Sequence, residues 1–218
     1  MVSEYGLGVS VWNVPWPSNE TEQVFARMPR VDAIFGEDGE DGGGATALED
    51  AAAALRVHHP AATAWHDPGG RNRTEMARWF AFLEEPATRG WLDGVVYGPG
   101  ILGGAPALLA QLPAGYVVRL YLDLSHTLTA MLPVPDWHFA WAFTAGRQMI
   151  NPLPRHYGDV IRTFQNRTFR KRVIGFGGYS EGAADDLNKM LFSALYLEPG
   201  MSPDDLVSQY TRLVQTHC

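Results

Sequence analysis

Cysteine is nearly absent from this chain of 218 residues, in which Cys218 at the C-terminal end is the only one. The sequence therefore has no cysteine pair for an internal disulfide, no cysteine-based zinc site and no cysteine nucleophile inside the fold. It also lacks an apolar run of the ~18 residues that a membrane span needs, and its first residues lack the pattern of a secretory signal. We therefore expect no membrane partner, and the sequence leaves the localisation open.

Basic residues are also scarce. The chain has 17 Lys and Arg against 24 Asp and Glu, a formal net charge of −7. Such a balance leaves no basic surface for neutralising phosphates, so we expect no nucleic-acid partner. No GxGxxG motif follows the first predicted strand and no GxxxxGK[ST] motif occurs, which removes the main support for a nucleotide cofactor.

Metal-binding patterns are missing as well. The sequence contains neither HxH nor HExxH, and its acidic loop GEDGEDGGG lacks the spacing of a calcium-binding EF-hand. We therefore expect no metal and no other cofactor. A metal-dependent hydrolase remains a minority alternative.

What the sequence does contain is a regular alternation of short apolar runs with longer stretches of helical periodicity. Most of the runs are apolar on both alternations, as strands covered on both faces must be. This pattern predicts an α/β fold with a parallel sheet. The predicted strands are residues 7–12, 32–35, 62–65, 94–97, 117–124, a weaker one at 148–151, and 173–177.

The helices between these strands have recognisable start signals, in the form of capping residues or a proline in the first turn. The signals lie at Asn19, Thr46, Thr74, Pro106 and Ser202. In the last helix we expect a buried stripe made of Leu206, Tyr210, Leu213 and Val214.

The number of strands suggests a barrel that is not complete. A (β/α)8 TIM barrel needs eight parallel strands and about 250 residues, whereas seven strands are predicted here. We predict a single TIM-barrel-like domain over residues 1–218, with about seven βα units and the first strand missing. Its open edge beside residues 7–12 makes self-association possible, because unpaired strand edges pair readily. An open doubly wound sheet is the alternative.

Polar residues gather at the predicted strand ends, where TIM barrels carry their chemistry. A polyhydroxylated ligand needs such a convergence, and an aromatic patch within residues 132–154 adds Trp137 as a stacking surface. The strand-end candidates are Glu37, Asp38, Glu40, Asp41, His66, Asp67, Tyr97, Asp123, Ser125, His126, Asn151, Tyr179, Ser180 and Glu181.

Two of these candidates, Asp123 and Glu181, are the most informative. Each follows an apolar run, where an ionised carboxylate is costly unless it is paired or used in chemistry. Two carboxylates on neighbouring strand ends are suited to glycoside hydrolysis, in which one donates a proton to the leaving oxygen and the other activates water or stabilises the oxocarbenium charge. Glu40 or Asp41 is the reserve proton donor, although an acidic loop is more often a solvated turn.

Two longer segments carry a resemblance to a known group. The stretches LYLDLSHTLTAMLPVPDWHFAWAFTAGRQMINPLPR at 120–155 and GGYSEGAADDLNKMLFSALYLEPGMSPDDLVSQYTR at 177–212 resemble largely uncharacterised proteins related to TIM-barrel glycoside hydrolases, in the neighbourhood of α-glucuronidases and hexosaminidases. The resemblance implies a sugar-processing barrel cut from a longer parent chain. The matching positions are Asp123, His126, Pro135, Asp136, Trp137, Arg147, Asn151, Pro152, Tyr179, Ser180, Glu181, Asp185, Asp186, Asn188 and Lys189.

The leading hypothesis is therefore a hydrolase of O-glycosidic bonds that takes a carbohydrate substrate. Its catalytic pair is Asp123 and Glu181. The residues expected to bind substrate are His126, Tyr179, Trp137, Asp67, Tyr97, Arg147, Asn151 and Asn188. A catalytically inactive carbohydrate-binding barrel and a truncated fragment of a longer enzyme remain open alternatives.

Overall fold

The protein is described by a computed structural model that covers residues 8–12, 18–37, 44–69, 72–98, 104–126, 129–130, 154–165, 169–180 and 186–216. Within these ranges the chain forms seven strands and eight helices. It divides into two compact units, residues 1–120 and residues 121–218.

The first unit is a parallel sheet whose strands alternate with helices along the chain. Strands β1 (Ser10–Trp12), β2 (Ala33–Glu37), β3 (Thr63–Asp67), β4 (Gly94–Tyr97) and the start of β5 (Val117–His126) lie side by side in chain order. Each is parallel to the next. The helices are α1 (Ser18–Arg27), α2 (Gly44–His58), α3 (Arg73–Glu84), α4 (Pro86–Arg89) and α5 (Gly104–Gln111).

The two faces of this sheet can be told apart because successive side chains of a strand alternate between them. On one face a Cβ added at Gly36 would meet the side chain of Leu48 in α2, and His66 packs against aromatic rings of α3. This is the helix-covered face. The opposite face carries Trp65, which lies in register with Gly94 of β4.

An aspartate before a strand ties neighbouring strands together at two places in the first unit. Asp32 precedes β2 and its Oδ2 accepts the backbone N–H of Val9 at 2.7 Å. Asp93 precedes β4 and its Oδ2 accepts the backbone N–H of Ala64 at 2.7 Å. Each carboxylate also accepts an arginine N–H, from Arg30 at 2.9 Å and from Arg56 at 2.7 Å. These contacts fix the amino ends of the strands.

The second unit holds the remainder of β5, the short antiparallel strand β6 (Thr129–Ala130), and β7 (Val173–Ser180), which pairs with β5. Its helices are α6 (Pro154–Gln165), α7 (Asp186–Leu197) and α8 (Pro203–Gln215). One hydrophobic cluster joins these elements, formed by Leu124, Tyr157, Ile161, Leu191, Phe192, Leu195 and Leu206.

Six of the seven predicted strands are found, and the one predicted at 148–151 lies outside the described residues. Strands β3 and β5 each run two residues further than predicted, so Asp67 and His126 close strands instead of opening loops. No helix in the described part of the chain is long and apolar enough to cross a membrane.

The prediction of a buried stripe along the last helix is wrong in its second half. Leu206 is buried as expected, but Leu213 is 62% exposed and Val214 is 39% exposed. The reason is that only the first turns of α8 enter the hydrophobic cluster of the second unit, through Leu206 and Val207. Apolar spacing gave the right face of the helix but not the length over which it is covered.

Candidate functional site

Two carboxylates lie side by side at the carboxyl ends of β2 and β3. Glu37 closes β2 and stands in register with Asp67, which closes β3. Residues in register on parallel strands share a face, so both carboxylates belong to the face opposite the helices, together with Trp65. Asp67 was expected from the sequence to bind substrate, and the structure places it at the strand end as expected.

Asp67 is held in place by backbone groups. Asp67 is only 5% exposed, and its Oδ1 accepts the backbone N–H of Gly69 at 2.9 Å. The carboxylate also packs directly against Gly98, where an added Cβ would collide with Oδ2. Gly98 follows β4, so this glycine makes room for the carboxylate of the neighbouring strand.

Tyr97, the second expected substrate contact of this unit, falls on the other face of the sheet. The register of β3 and β4 sets His66 beside Val95, and Tyr97 shares a face with Val95 by alternation. His66 is fully buried on that side and its Nδ1 accepts the indole N–H of Trp79 at 2.8 Å. Asp67 and Tyr97 therefore point to opposite sides, and a ligand contact through Tyr97 stays a prediction.

Two tyrosines of the second unit lie in contact with each other. Tyr121 of β5 and Tyr179 of β7 make an edge-to-face contact, with ring centroids 6.0 Å apart. The helix-covered side of the same strands carries Leu124, which lies near Gly178 and belongs to the hydrophobic cluster. By alternation the two tyrosines therefore share the face away from the helices. Tyr179 is half-buried and was expected to bind substrate.

Asn188 lies away from the strand ends, in the first turn of α7, and is only 2% exposed. Its neighbours on the helix include Asp186, which lies in the first turn and pairs with Lys189 at 3.7 Å. A carboxylate in the first turn is favourably placed in the field of the helix dipole. Asp186 thus has a structural role at the start of α7, whereas a ligand contact through Asn188 stays a prediction.

The other residues expected from the sequence lie partly or wholly outside the described part of the structure. Asp123 and His126 have their backbone in β5, but their side chains are outside the described part of the structure. The following residues lie wholly outside the described residues: Glu40, Asp41, Trp137, Arg147, Asn151 and Glu181.

Sequence reasoning missed one charged group of the first unit, Arg119. It lies in β5 in register with Val96, and its guanidinium carbon is 3.9 Å from the centroid of the Trp65 ring. Burial lowers the pKa of Arg119 from its ordinary value. The available signal was a single basic residue within the otherwise apolar run VVRLYL, at a position that alternation places opposite the helices.

Among the described residues, no three His, Cys, Asp or Glu side chains lie close enough together to hold a metal ion.

Comparison with known proteins supports the fold. No protein-family profile matches the chain, and no curated protein matches it in sequence. The chain is similar to the solved structure of an endo-1,4-β-xylanase from Caldicellulosiruptor owensensis, with a TM-score of 0.50 and 9% sequence identity, over 82% of this chain and 68% of that chain. At this identity the likeness concerns the fold alone. The predicted TIM-barrel-like α/β fold is confirmed, with fewer than eight parallel strands in the described part of the chain.

Proposed function

We propose that this chain is a glycoside hydrolase that cleaves O-glycosidic bonds with Asp123 and Glu181 as its carboxylate pair. The observation that carries the proposal is the contact between Tyr121 and Tyr179 on the face of β5 and β7 away from the helices. Asp123 follows Tyr121 by two residues along the sequence, and Glu181 follows Tyr179 by two.

The spacing matters because residues two apart in an extended strand share a face. The tyrosine contact joins β5 and β7 at the residues just before the two acids. The proposal extends this contact by two residues along each chain segment, from the tyrosines to Asp123 and Glu181. These acids then lie towards the carboxyl ends of the strands, where TIM barrels bind their substrates.

The chemistry asked of the pair is the cleavage of a glycosidic bond through a transition state with oxocarbenium character. One carboxylic acid protonates the leaving oxygen, and the other carboxylate either attacks the anomeric carbon or activates a water molecule. Glu40 and Asp41 remain the reserve proton donors in this proposal. Substrate positioning is assigned to these residues named from the sequence: Asp67, His126, Trp137, Arg147, Asn151, Tyr179 and Asn188. A contact through Tyr97, which was also named, would need the substrate to reach the helix-covered face.

The comparison supports the scaffold on which this chemistry would run. The similar solved structure is, by its name, an enzyme that acts on a β-1,4-linked xylan. A shared fold hosts many functions, so the fold supports the class of scaffold and the site must supply the activity. The finer placement near α-glucuronidases and hexosaminidases rests on the sequence motifs alone and is part of the proposal.

The test is hydrolysis of a panel of aryl glycosides, with xylosides, hexosaminides and uronides in parallel. Replacing Glu181 by Gln or Asp123 by Asn should lower kcat by about 10²–10⁴, because each substitution removes a group that moves a proton or stabilises charge. Asp159→Asn is the matched control. Asp159 is an exposed carboxylate of α6 that pairs with Arg162 at 2.7 Å, and its loss should leave kcat unchanged.

Full activity in Glu181→Gln would refute the proposal. So would a wild-type chain that is folded and hydrolyses none of the panel. A wild-type chain that binds these sugars without turnover would favour the second candidate, a catalytically inactive carbohydrate-binding barrel.

The partners belong to the same proposal. A carbohydrate is the proposed ligand, and neither nucleic acid nor a membrane is proposed as a partner. Self-association is proposed at the β1 edge, since within the described residues β1 pairs only with β2. Sedimentation of the purified chain tests this directly, with a single monomeric species as the contrary result.

A further inference from the structure

The stack of Arg119 on Trp65 is a pre-formed arrangement within the first unit. The indole N–H of Trp65 donates to Oγ1 of Thr63 at 2.8 Å, which fixes the orientation of the ring. The ring packs against Gly94, where an added Cβ would lie 2.8 Å from Cε3 of Trp65. Trp65 is only 2% exposed, so the guanidinium rests on a rigid apolar platform.

Arg119 itself has unused hydrogen-bonding capacity. Its contact with Trp65 is to the ring face, and with the described residues it makes neither a hydrogen bond nor an ion pair. A guanidinium has five N–H donors and no acceptor. Removing such a cation partly from water is unfavourable unless an anion or hydrogen-bond acceptors compensate. Arg119 nevertheless keeps partial exposure, so a dissolved molecule can reach it.

Arg89 of the same unit is a useful comparison, because its guanidinium has hydrogen-bond partners. Its guanidinium also lies over an aromatic ring, that of Tyr116, at 6.0 Å from the centroid. Unlike Arg119, it donates to Glu84 at 2.7 Å and to the carbonyl oxygen of Ala114 at 3.3 Å. Among the described residues the donors of Arg119, unlike those of Arg89, therefore remain for a ligand.

The charged residues near Arg119 indicate which kind of ligand the site can bind. Arg119 is in register with Val96, and Asp67 lies beside Val96 when the register of β3 and β4 is continued by one residue. Glu37 is in register with Asp67. A basic group and two acidic groups thus share one face at the same level of the sheet, with Asp67 and Arg119 separated by two strand spacings, about 10 Å.

We propose that Arg119, stacked on Trp65, binds the carboxylate group of a small hydroxylated acid. A carboxylate accepts two parallel hydrogen bonds from the planar fork of arginine, a geometry that lysine cannot offer. Hydroxyl groups of the same ligand are the donors that carboxylate oxygens at Glu37 and Asp67 accept. The site goes beyond the proposed glycoside hydrolysis and holds whether or not the chain cleaves sugars.

Titration calorimetry with three probes tests the proposal on the purified full chain. Gluconate carries both a carboxylate and hydroxyl groups, glucitol carries hydroxyl groups alone, and propionate carries a carboxylate alone. Gluconate should bind and glucitol should not. Propionate should bind more weakly than gluconate, and equal binding of the two would overturn the proposed hydroxylated ligand.

Two variants place the site. Arg119→Lys keeps the positive charge but loses the planar fork, and should weaken gluconate binding about ten-fold or more, since hydrogen bonds to charged groups are strong. Arg89→Lys is the control and should bind gluconate like the wild type. Equal affinity in wild type and Arg119→Lys would overturn the proposal, as would glucitol binding as tightly as gluconate.

A second measurement needs no variant. Phenylglyoxal modifies accessible arginines, and peptide mass spectrometry reports the extent at each one. Gluconate should protect Arg119 in the wild-type chain and leave Arg89 unprotected. Modification of Arg119 at the same rate with and without gluconate would contradict the proposal even if Arg119→Lys failed to fold.

Discussion

At the scale of single residues, Gly94 packs tightly against Trp65. An added Cβ would lie 2.8 Å from both Cε3 of Trp65 and the carbonyl oxygen of Val117, and one of these is backbone that cannot move aside. Gly94→Ala should therefore lower the free energy of unfolding by about 1–3 kcal/mol, the usual effect of overpacking. Urea denaturation followed by tryptophan fluorescence measures it.

The control for this prediction is Gly200→Ala. No atom lies within 4 Å of the Cβ that this substitution adds, and Gly200 is exposed. Its free energy of unfolding should stay within about 0.5 kcal/mol of the wild type. An equal loss of stability in the two variants would contradict the packing described around Trp65.

Asp32 gives a second prediction at this scale, for the dependence of stability on pH. The backbone N–H of Val9 and the side chain of Arg30 hold the pKa of Asp32 below its ordinary value of 3.8. A carboxylate whose pKa is lowered by folding stabilises the fold above its unfolded-state pKa. That contribution disappears as the pH falls from about that value through the lower folded-state pKa.

Urea midpoints measured between pH 7 and pH 2 for the wild type and Asp32→Asn test this prediction. The wild type should be more stable at neutral pH, and the difference should shrink below about pH 4. Asp50→Asn, at an exposed position of α2, is the control. A difference that is constant across the pH range would show that the charge of Asp32 contributes nothing.

Single residues are also where sequence reasoning was least complete. Arg119 gave only the signal of a single basic residue in an apolar run, and Gly98 gave none, because a glycine after a strand is common. Their meaning comes from neighbours far away in the sequence, Trp65 for Arg119 and Asp67 for Gly98. Only the register of adjacent strands brings these pairs together, and register is a property of the folded sheet.

At the scale of elements, helix α3 depends on its N-cap. The side chain of Asn72 accepts the backbone N–H groups of Thr74 and Glu75, both at 3.0 Å. Asn72→Ala should lower the free energy of unfolding by about 1 kcal/mol, because it leaves these donors without the cap. Asn72→Asp retains an acceptor and should keep most of the stability. Thermal denaturation of the wild type and the two variants tests this prediction. Equal losses of stability in both variants would contradict the role of Asn72 as the N-cap.

Elements were largely predictable from the sequence, for reasons that particular residues show. Strand β4 was predicted with the bounds that it has, because the apolar run GVVY is enclosed by the turn formers Asp93 and Gly98. In α2 the buried residues are the apolar ones at helical spacing, Leu48, Ala51, Ala52 and Leu55. The end of α8 was not predictable, because burial of Leu213 depends on what the fold sets beside it.

At the scale of the whole molecule, the α/β alternation of the sequence predicted a parallel sheet between helices, since apolar runs covered on both faces are typical of such strands. The preference for a TIM-barrel-like fold over an open doubly wound sheet rested on the strand count and on the missing nucleotide-binding motifs. The candidate site was predictable only in part. The sequence named Asp67 and Tyr179 at strand ends, where they lie, but it did not reveal that Tyr97 turns to the helix-covered side.

The central claim is that Asp123 and Glu181 form a catalytic pair beyond the contact of Tyr121 with Tyr179. The most direct test is the distance between their two carboxyl groups in a crystal structure of the chain with a bound sugar. The account predicts about 5–9.5 Å, with the glycosidic oxygen between the two groups, and the distance within that range separates retention from inversion. Carboxyl groups much further apart than this, or on opposite faces of the sheet, would contradict it.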